Sequence, residues 1–382
     1  MVDRIERTLA LVTSVLCAAI GFWSAPSLLG QNQMPESSAL SEWRPHGSSN
    51  ISYVGSGACA QCHTAESATQ PATPMAKALT PAADCQILSS YPRLTFRNGS
   101  YSYQIVRQGN RSIYTVADGV NAISEPLLYC FGVGKVGQTY VFRHNGLFYE
   151  TRVSFYQATQ NLDFTTGHPR SAATSLEEAL GRPLSLDEAQ ACFACHSTAA
   201  VAGSQLQLDH LIPGVSCEAC HGPGEKHIVA AKAHKFKELQ IFNPAKMDAE
   251  GLTQEFCGSC HRSFDQVMVM PRQGGLNNIR FQPYRIFNSR GHKGDPRISC
   301  VACHDPHDRL VRDAAFYDSK CLACHLVGPG EAKTARRSAA PCPVSKHECA
   351  KCHMPKVELS EMHFRFTDHW IRIVKPNGPV PN

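Results

Sequence analysis

The sequence predicts an α+β chain with little regular secondary structure: short helices and loops around a core that side chains do not supply, plus a small antiparallel β-rich insertion. Three observations predict this. Of 18 Cys, 14 fall into seven copies of Cys-x-x-Cys-His. Six of those copies crowd between Cys192 and His353. Between Cys59 and Cys192 there is no second copy, and short aromatic and β-branched runs stand there instead.

The copies are Cys59-Ala60-Gln61-Cys62-His63, Cys192-Phe193-Ala194-Cys195-His196, Cys217-Glu218-Ala219-Cys220-His221, Cys257-Gly258-Ser259-Cys260-His261, Cys300-Val301-Ala302-Cys303-His304, Cys321-Leu322-Ala323-Cys324-His325 and Cys349-Ala350-Lys351-Cys352-His353. This spacing is the attachment signal for c-type haem. Two thiols separated by two residues reach the two vinyl groups of one porphyrin, and the His that follows presents an imidazole nitrogen to its iron. Zinc knuckles and redox dithiols also use Cys-x-x-Cys. Zinc knuckles pair such motifs, however, and seven is odd, while neither alternative needs His after every second Cys. His is about 5% of the chain, so seven such coincidences have a chance probability on the order of 10⁻⁹. The expectation is seven covalent haem c groups in a multihaem cytochrome c fold.

Thioether attachment takes place outside the cytoplasm, and residues 1–30 read as the export segment. Arg4 and Arg7 form a basic start, and Leu9 to Trp23 is apolar. With no clear small-residue cleavage site, the same run also fits an uncleaved membrane anchor. Residues 31–84 read as a polar leader followed by the haem 1 segment, 85–167 as a β-rich region without haem motifs, and 168–382 as a six-haem domain.

Within the β-rich region, Leu94–Arg97, Tyr101–Arg107 and Arg111–Val116 are strand-like, with the hairpin signal Asn98-Gly99 between the first two. Thr139–Arg143 and Phe148–Phe155 flank a second such turn, Asn145-Gly146. Cys85 and Cys130 lie in or beside this region without a motif. Two such thiols are able to pair in an oxidising compartment, but sequence does not show that they touch. In the haem-rich part, Ser185-Leu186-Asp187-Glu188 is a capping box that starts a helix into the second motif. Thr253 and Ser319 are expected to cap helices before Cys257 and Cys321.

The six-motif stretch has about 27 residues per haem, too few to wrap each group in its own hydrophobic core. The haems must then wall one another, an arrangement suited to relaying electrons. The formal charge of +5 omits two propionates per haem; adding them gives roughly −2 with ferric and −9 with ferrous iron. Excess Lys and Arg read as propionate partners, and nothing signals nucleic acid. Lys226, Lys232, Lys235 and Lys237 read as a solvated helix face.

Each iron has a second axial position to fill. His168, His227, His292, His307, His363 and His369 are the candidate distal ligands. His307 cannot easily reach the iron held by His304, because that iron's open side faces away from its own attachment segment, so a neighbouring haem is expected. Haem 1 has no free His close behind it, and Met75, twelve residues past His63, is its candidate.

The run Gly214-Val215-Ser216-Cys217-Glu218-Ala219-Cys220-His221-Gly222-Pro223-Gly224 with His227, the segment His304-Asp305-Pro306-His307, and Cys352-His353-Met354-Pro355 leading to His363 and Asp368-His369 resemble the periplasmic multihaem cytochromes related to cytochrome c-554. The resemblance covers most of residues 53–375 and is loose in the β region. It implies bis-His haems in stacked and perpendicular pairs, with His168, His227, His307 and His369 among the distal ligands. Seven haems exceed the tetrahaem pattern of that family, so a hydroxylamine-linked role is not inherited.

The leading expectation is therefore a periplasmic electron carrier, not an enzyme, passing electrons between periplasmic or membrane-bound redox partners. It would contact the membrane only through an uncleaved N-terminal anchor. A multihaem oxidoreductase acting on a small nitrogen or sulfur compound at a five-coordinate haem is the second reading, and a subunit of a conducting filament the third.

Overall fold

A computed structural model describes residues 52–375 and 380, apart from 204, 271–277, 296 and 326–341. The expected export segment and the polar leader before Ser52 lie outside the described residues. No described helix is long and apolar enough to cross a membrane.

The insertion is not small. Ten antiparallel strands form one sheet: β1 Leu79–Pro81, β2 Arg93–Asn98, β3 Tyr101–Gln108, β4 Arg111–Ala117, β5 Ala122–Phe131, β6 Gly137–His144, β7 Leu147–Thr151, β8 Val153–Tyr156, β9 Asn161–Phe164 and β10 Gly181–Pro183. The main path runs β10-β7-β6-β5-β4-β3-β2, with β1 added to β5, and β8 bridging β6 and β9. The second Asn-Gly turn is where the sequence put it, with φ of 49° at Asn145 and 81° at Gly146. The first is displaced by one residue: Asn98 pairs with Tyr101, so Gly99-Ser100 is the loop, and Gly99 alone has positive φ, 59°. Positive φ at both central residues, or at the first, matches the right-handed twist of the strands.

Sequence patterning missed the short strands β1, β9 and β10 and also the longest, β5, which carries Glu125 and Pro126. The ladder explains the Pro. Residues Ala122–Pro126 pair with β4, and Leu127–Phe131 pair with β6 across a register shift at Leu127/Tyr129. Pro126 thus stands where the strand changes partners and where a missing N–H costs least.

Alternation then gives β5 two apolar faces. Leu127 and Cys130 enter the interior with Tyr103, Tyr114, Tyr140, Phe142 and Phe155. Tyr129 and Phe131 face the other way and grip Phe193 at centroid distances of 5.0 and 5.4 Å, both edge-on. Phe193 lies inside the second motif, so the sheet serves as the platform for that motif.

Outside the sheet the described chain is short helices and loops with three two-stranded ribbons, Ser197–Thr198 with Ile212–Pro213, Val201–Ala202 with Gln205–Leu206, and Lys356–Leu359 with Phe364–Thr367. The capping box at Ser185 is complete: its hydroxyl accepts from Glu188 N–H, Glu188 reaches back to Ser185 N–H, and the helix runs Leu186–His196. Two other caps are corrected. Thr253 is fully buried within a wide π-turn segment, Gly251–Cys257. Ser319 lies inside the helix Ala314–His325 and donates to Phe316 O. Hydroxyl residues cap only where the backbone is extended, and here both are already helical. Lys226, Lys232, Lys235 and Lys237 are all solvent-exposed.

Candidate haem sites

Six of the seven motifs end or fill a helix: Leu186–His196, Cys217–His221, Gly258–His261, Cys300–Cys303, Ala314–His325 and Cys349–His353. The first follows the turn Ser56–Cys59. One helical turn puts residues i and i+3 on one face, so both thiols of a motif point the same way.

The motifs touch one another. The Cys59 thiol meets Cys217, Cys257 meets Cys300, and Cys321 meets Cys349. Cys195 Sγ lies 3.8 Å from Ser259 O of the fourth motif. Tyr317, on the sixth motif's helix, has its hydroxyl 3.4 Å from His304 Nδ1 of the fifth.

Several imidazoles are held by Nδ1. That nitrogen lies 3.2 Å from Ala78 O in His196, 3.0 Å from Phe242 O in His221 and 2.9 Å from Arg372 O in His353. The same holds for His227 on Leu239 O, His292 on Ile298 O and His369 on Thr367 O, each at 3.0 Å. A backbone carbonyl can only accept, so Nδ1 carries the proton and Nε2 keeps its lone pair, the tautomer a metal needs. Burial pushes His196, His221 and His304 below the ordinary imidazole value and His369 down to about 4, so these rings are neutral at pH 7.

Three rings stand opposite motif imidazoles. His63 and His227 have centroids 6.2 Å apart, His221 and His307 6.0 Å, and His304 and His369 6.3 Å. Two imidazoles bound to opposite sides of one metal, at about 2.0–2.1 Å per bond, place their ring centres roughly 6 Å apart. The donor set fits a bis-imidazole iron at each pair. Direct ring stacking does not explain the spacing, since the ring faces would then sit well beyond van der Waals contact.

The remaining candidates are placed differently. Opposite His63 stands His227; Met75 contributes its backbone carbonyl, which accepts from Val215 N–H at 2.9 Å. His168 Nε2 lies 3.0 Å from Glu150 and His363 Nε2 2.7 Å from Asp163. His292 Nε2 is 3.0 Å from a Glu250 carboxylate oxygen. Among the described residues, His196, His261 and His353 show no such ring pair.

Sequence reading missed the carboxylates that hold these parts in place. Glu218, between the cysteines of the third motif, is 3% exposed. It accepts from Val54 N–H at 2.9 Å, Gly55 N–H at 2.8 Å and Gly224 N–H at 2.8 Å. It therefore joins the approach to the first motif, the third motif and the turn leading to His227. Gly214 completes the joint: a Cβ there would sit 1.8 Å from Ala76 O. Asp318 plays the same part further along, accepting from Glu348 N–H at 2.7 Å and Cys349 N–H at 2.8 Å, which ties the sixth motif to the seventh. Those two bonds also hold its carboxyl below the usual range. A carboxylate inside a Cys-x-x-Cys, or three residues before one, is the only sequence hint of either joint.

Residues 149–222 match the family model described as cytochrome c554 and c-prime. This chain is a multihaem c-type cytochrome. The matched stretch of the cytochrome covers its second and third motifs. Multiheme cytochrome MtrA of Shewanella baltica (strain OS185) is 22% identical over 185 residues, 45% of this chain and 47% of that protein. The chain thus spans about half the length of that curated relative. Among solved structures, outer cell wall cytochrome OcwA is similar at a TM-score of 0.45 and 14% identity, covering 84% of this cytochrome and 80% of that chain.

Glu218→Ala is expected to lower the cytochrome's stability by about 3 kcal/mol, since hydrogen bonds to a charged group are worth roughly 1.5–3 kcal/mol each and three N–H groups lose their acceptor. Glu218→Gln, which keeps one acceptor oxygen, should lose less. Denaturant midpoints of the two variants check the order.

Proposed function

We propose that this cytochrome is a periplasmic heptahaem electron-transfer protein, with one haem c tethered at each Cys-x-x-Cys-His. Bound haem supplies an iron that takes up and releases single electrons at an axial-ligand-tuned potential. The chain supplies everything else. His63 with His227, His221 with His307 and His304 with His369 would hold the irons of haems 1, 3 and 5. Met75 drops out of the ligand set. His168 and His363, whose Nε2 atoms hydrogen-bond carboxylates, are read as polar partners rather than ligands, while His292, with Nδ1 on Ile298 O and a buried Nε2 that makes no hydrogen bond among the described residues, stays a candidate ligand.

The observation that carries this reading is the contact among attachment segments. Motif 1 meets motif 3, motif 4 meets motifs 2 and 5, and motif 6 meets motifs 5 and 7. His307, four residues after Cys303, faces His221 and closes the link from motif 5 to motif 3. All seven motifs form one connected set, so groups tethered there share walls. Redox partner proteins follow from such a carrier, and soluble or membrane-bound partners in the periplasm are the proposed ones.

A second reading, reduction or oxidation of a small nitrogen or sulfur compound, draws on one polar cluster. Asp163 holds His363, whose ring lies 5.1 Å from Tyr156, and the buried Arg280 Nε has no hydrogen-bond partner among the described residues.

Intact mass should exceed the polypeptide by seven haems, and a redox titration followed by electron paramagnetic resonance should show low-spin iron at the three haems with paired imidazoles. A high-spin signal that shifts with nitrite, hydroxylamine or sulfite would replace the carrier reading with the second.

A further inference from the structure

Two cysteines remain inside the sheet domain that no haem motif uses. Cys85 is 2% and Cys130 0% exposed, and both belong to the same apolar interior. The fold brings them together from two directions. Strand β1 pairs with β5 so that Thr80 stands beside Cys130. The chain then makes a tight turn, Ala82–Asp84, which the Arg107 guanidinium grips through Ala82 O at 2.8 Å and Ala83 O at 2.6 Å. That turn returns Cys85 to the inner face of β5. There the Cys85 thiol donates to Gln138 Oε1 at 3.0 Å, and the Cys130 thiol hydrogen-bonds Cys85.

We propose that Cys85 and Cys130 form a structural disulfide in the mature protein, a covalent clamp between the haem 1 segment and the sheet. The proposal rests on the reading that the chain is exported to an oxidising compartment, where such bonds persist.

The bond forms before the sheet closes over it. Cys85, as thiolate, attacks one sulfur of an external protein disulfide and releases the other as a thiolate. Cys130 loses its proton and displaces the attached sulfur, so the partner leaves reduced to two thiols and the Sγ–Sγ bond remains.

The clamp lies close to a haem site. Ala78 O, one residue before β1, accepts from Gly132 N–H at 2.7 Å and lies 3.2 Å from His196 Nδ1. Fixing β1 on β5 therefore fixes the carbonyl that orients the second motif's imidazole.

The test uses the purified, haem-loaded protein. It is unfolded in guanidinium without reductant, alkylated with iodoacetamide and digested, and intact mass is measured in parallel. The expected result is a Cys85–Cys130 cross-linked peptide pair that separates on reduction, with Cys342 alkylated. Recovery of Cys85 and Cys130 both alkylated without reductant, or linkage of either to Cys342, overturns the proposal. A mass lacking haem would count against the haem reading, while the digest still scores the disulfide.

Discussion

His307→Ala is expected to turn about one iron in seven from six-coordinate low spin to five-coordinate high spin, with the haem still attached. The ring removed is the one 6.0 Å from His221. His227→Ala and His369→Ala should each do the same at a different iron, because their rings stand opposite His63 and His304. Met75→Ala should leave the spectrum alone. Ferric electron paramagnetic resonance reads all four variants directly. A His307→Ala protein with no more high-spin iron than the parent would remove the pairing. The double variant His227→Ala/His307→Ala should show twice the gain in high-spin iron over the parent that either shows alone.

The effect should be specific because the His307 segment is held from elsewhere. Thr69 Oγ1 donates to His307 O at 2.6 Å, and His307 N–H donates to Asp305 Oδ1 at 2.8 Å. The backbone keeps its place when the ring is cut away. The segment also joins the fifth motif to the Thr64–Thr69 helix behind the first motif, although 238 residues separate Thr69 from His307.

Arg285→Ala should be the most destabilising single substitution outside the motifs, at about 3–5 kcal/mol, the cost of stranding a buried charge. The Arg285 and Asp368 side chains are 1% and 0% exposed and meet through Nε–Oδ1 at 2.8 Å and Nη2–Oδ2 at 2.9 Å. Arg372 Nη1 adds a contact of 2.6 Å to Oδ2, and Trp370 N–H donates to Oδ1 at 3.0 Å. Asp368 therefore organises the strap that carries His369, and Arg372 O of the same strap faces His353 Nδ1. Arg285→Lys keeps the charge but loses the two-pronged geometry, and should recover only part of the stability. Thermal melting of the two variants measures the loss. An Arg285→Ala protein that melts with the parent would show that the ion pair does not hold the strap.

The same pair gives an acid dependence. Burial opposes ionisation of Asp368, and the Arg285 hydrogen bonds, the Trp370 N–H and Arg372 outweigh it, so the carboxyl lies below its ordinary range. A lowered folded value means that this stability is fully present above the unfolded carboxylate value of about 3.9. It is lost as pH falls through the folded value. The parent's melting temperature should therefore drop below about pH 4, and the drop should be smaller in Arg285→Ala, which has already lost the partner.

Some of this molecule was legible before any coordinates. The two hairpins marked by Asn-Gly, the Ser185 capping box and the motif helices are local, decided by residues within a few positions of one another. Strand β5 was not legible, because Glu125 and Pro126 break its pattern and only its change of partner from β4 to β6 makes room for them. Glu218 and Asp368 escaped for a related reason: a carboxylate's partners are backbone N–H groups and guanidinium ions that sequence does not place beside it.

The sequence by itself set out the attachment motifs, because a Cys-x-x-Cys-His turn is complete within five residues. It also set the expectation that groups tethered at the six crowded motifs share walls, since so few residues per group cannot build separate cores. Which imidazole faces which was decided by tertiary structure alone. His63 and His227, His221 and His307, and His304 and His369 are each brought together by closure of a long loop. That closure depends on distant packing and buried ion pairs, which no local spacing encodes.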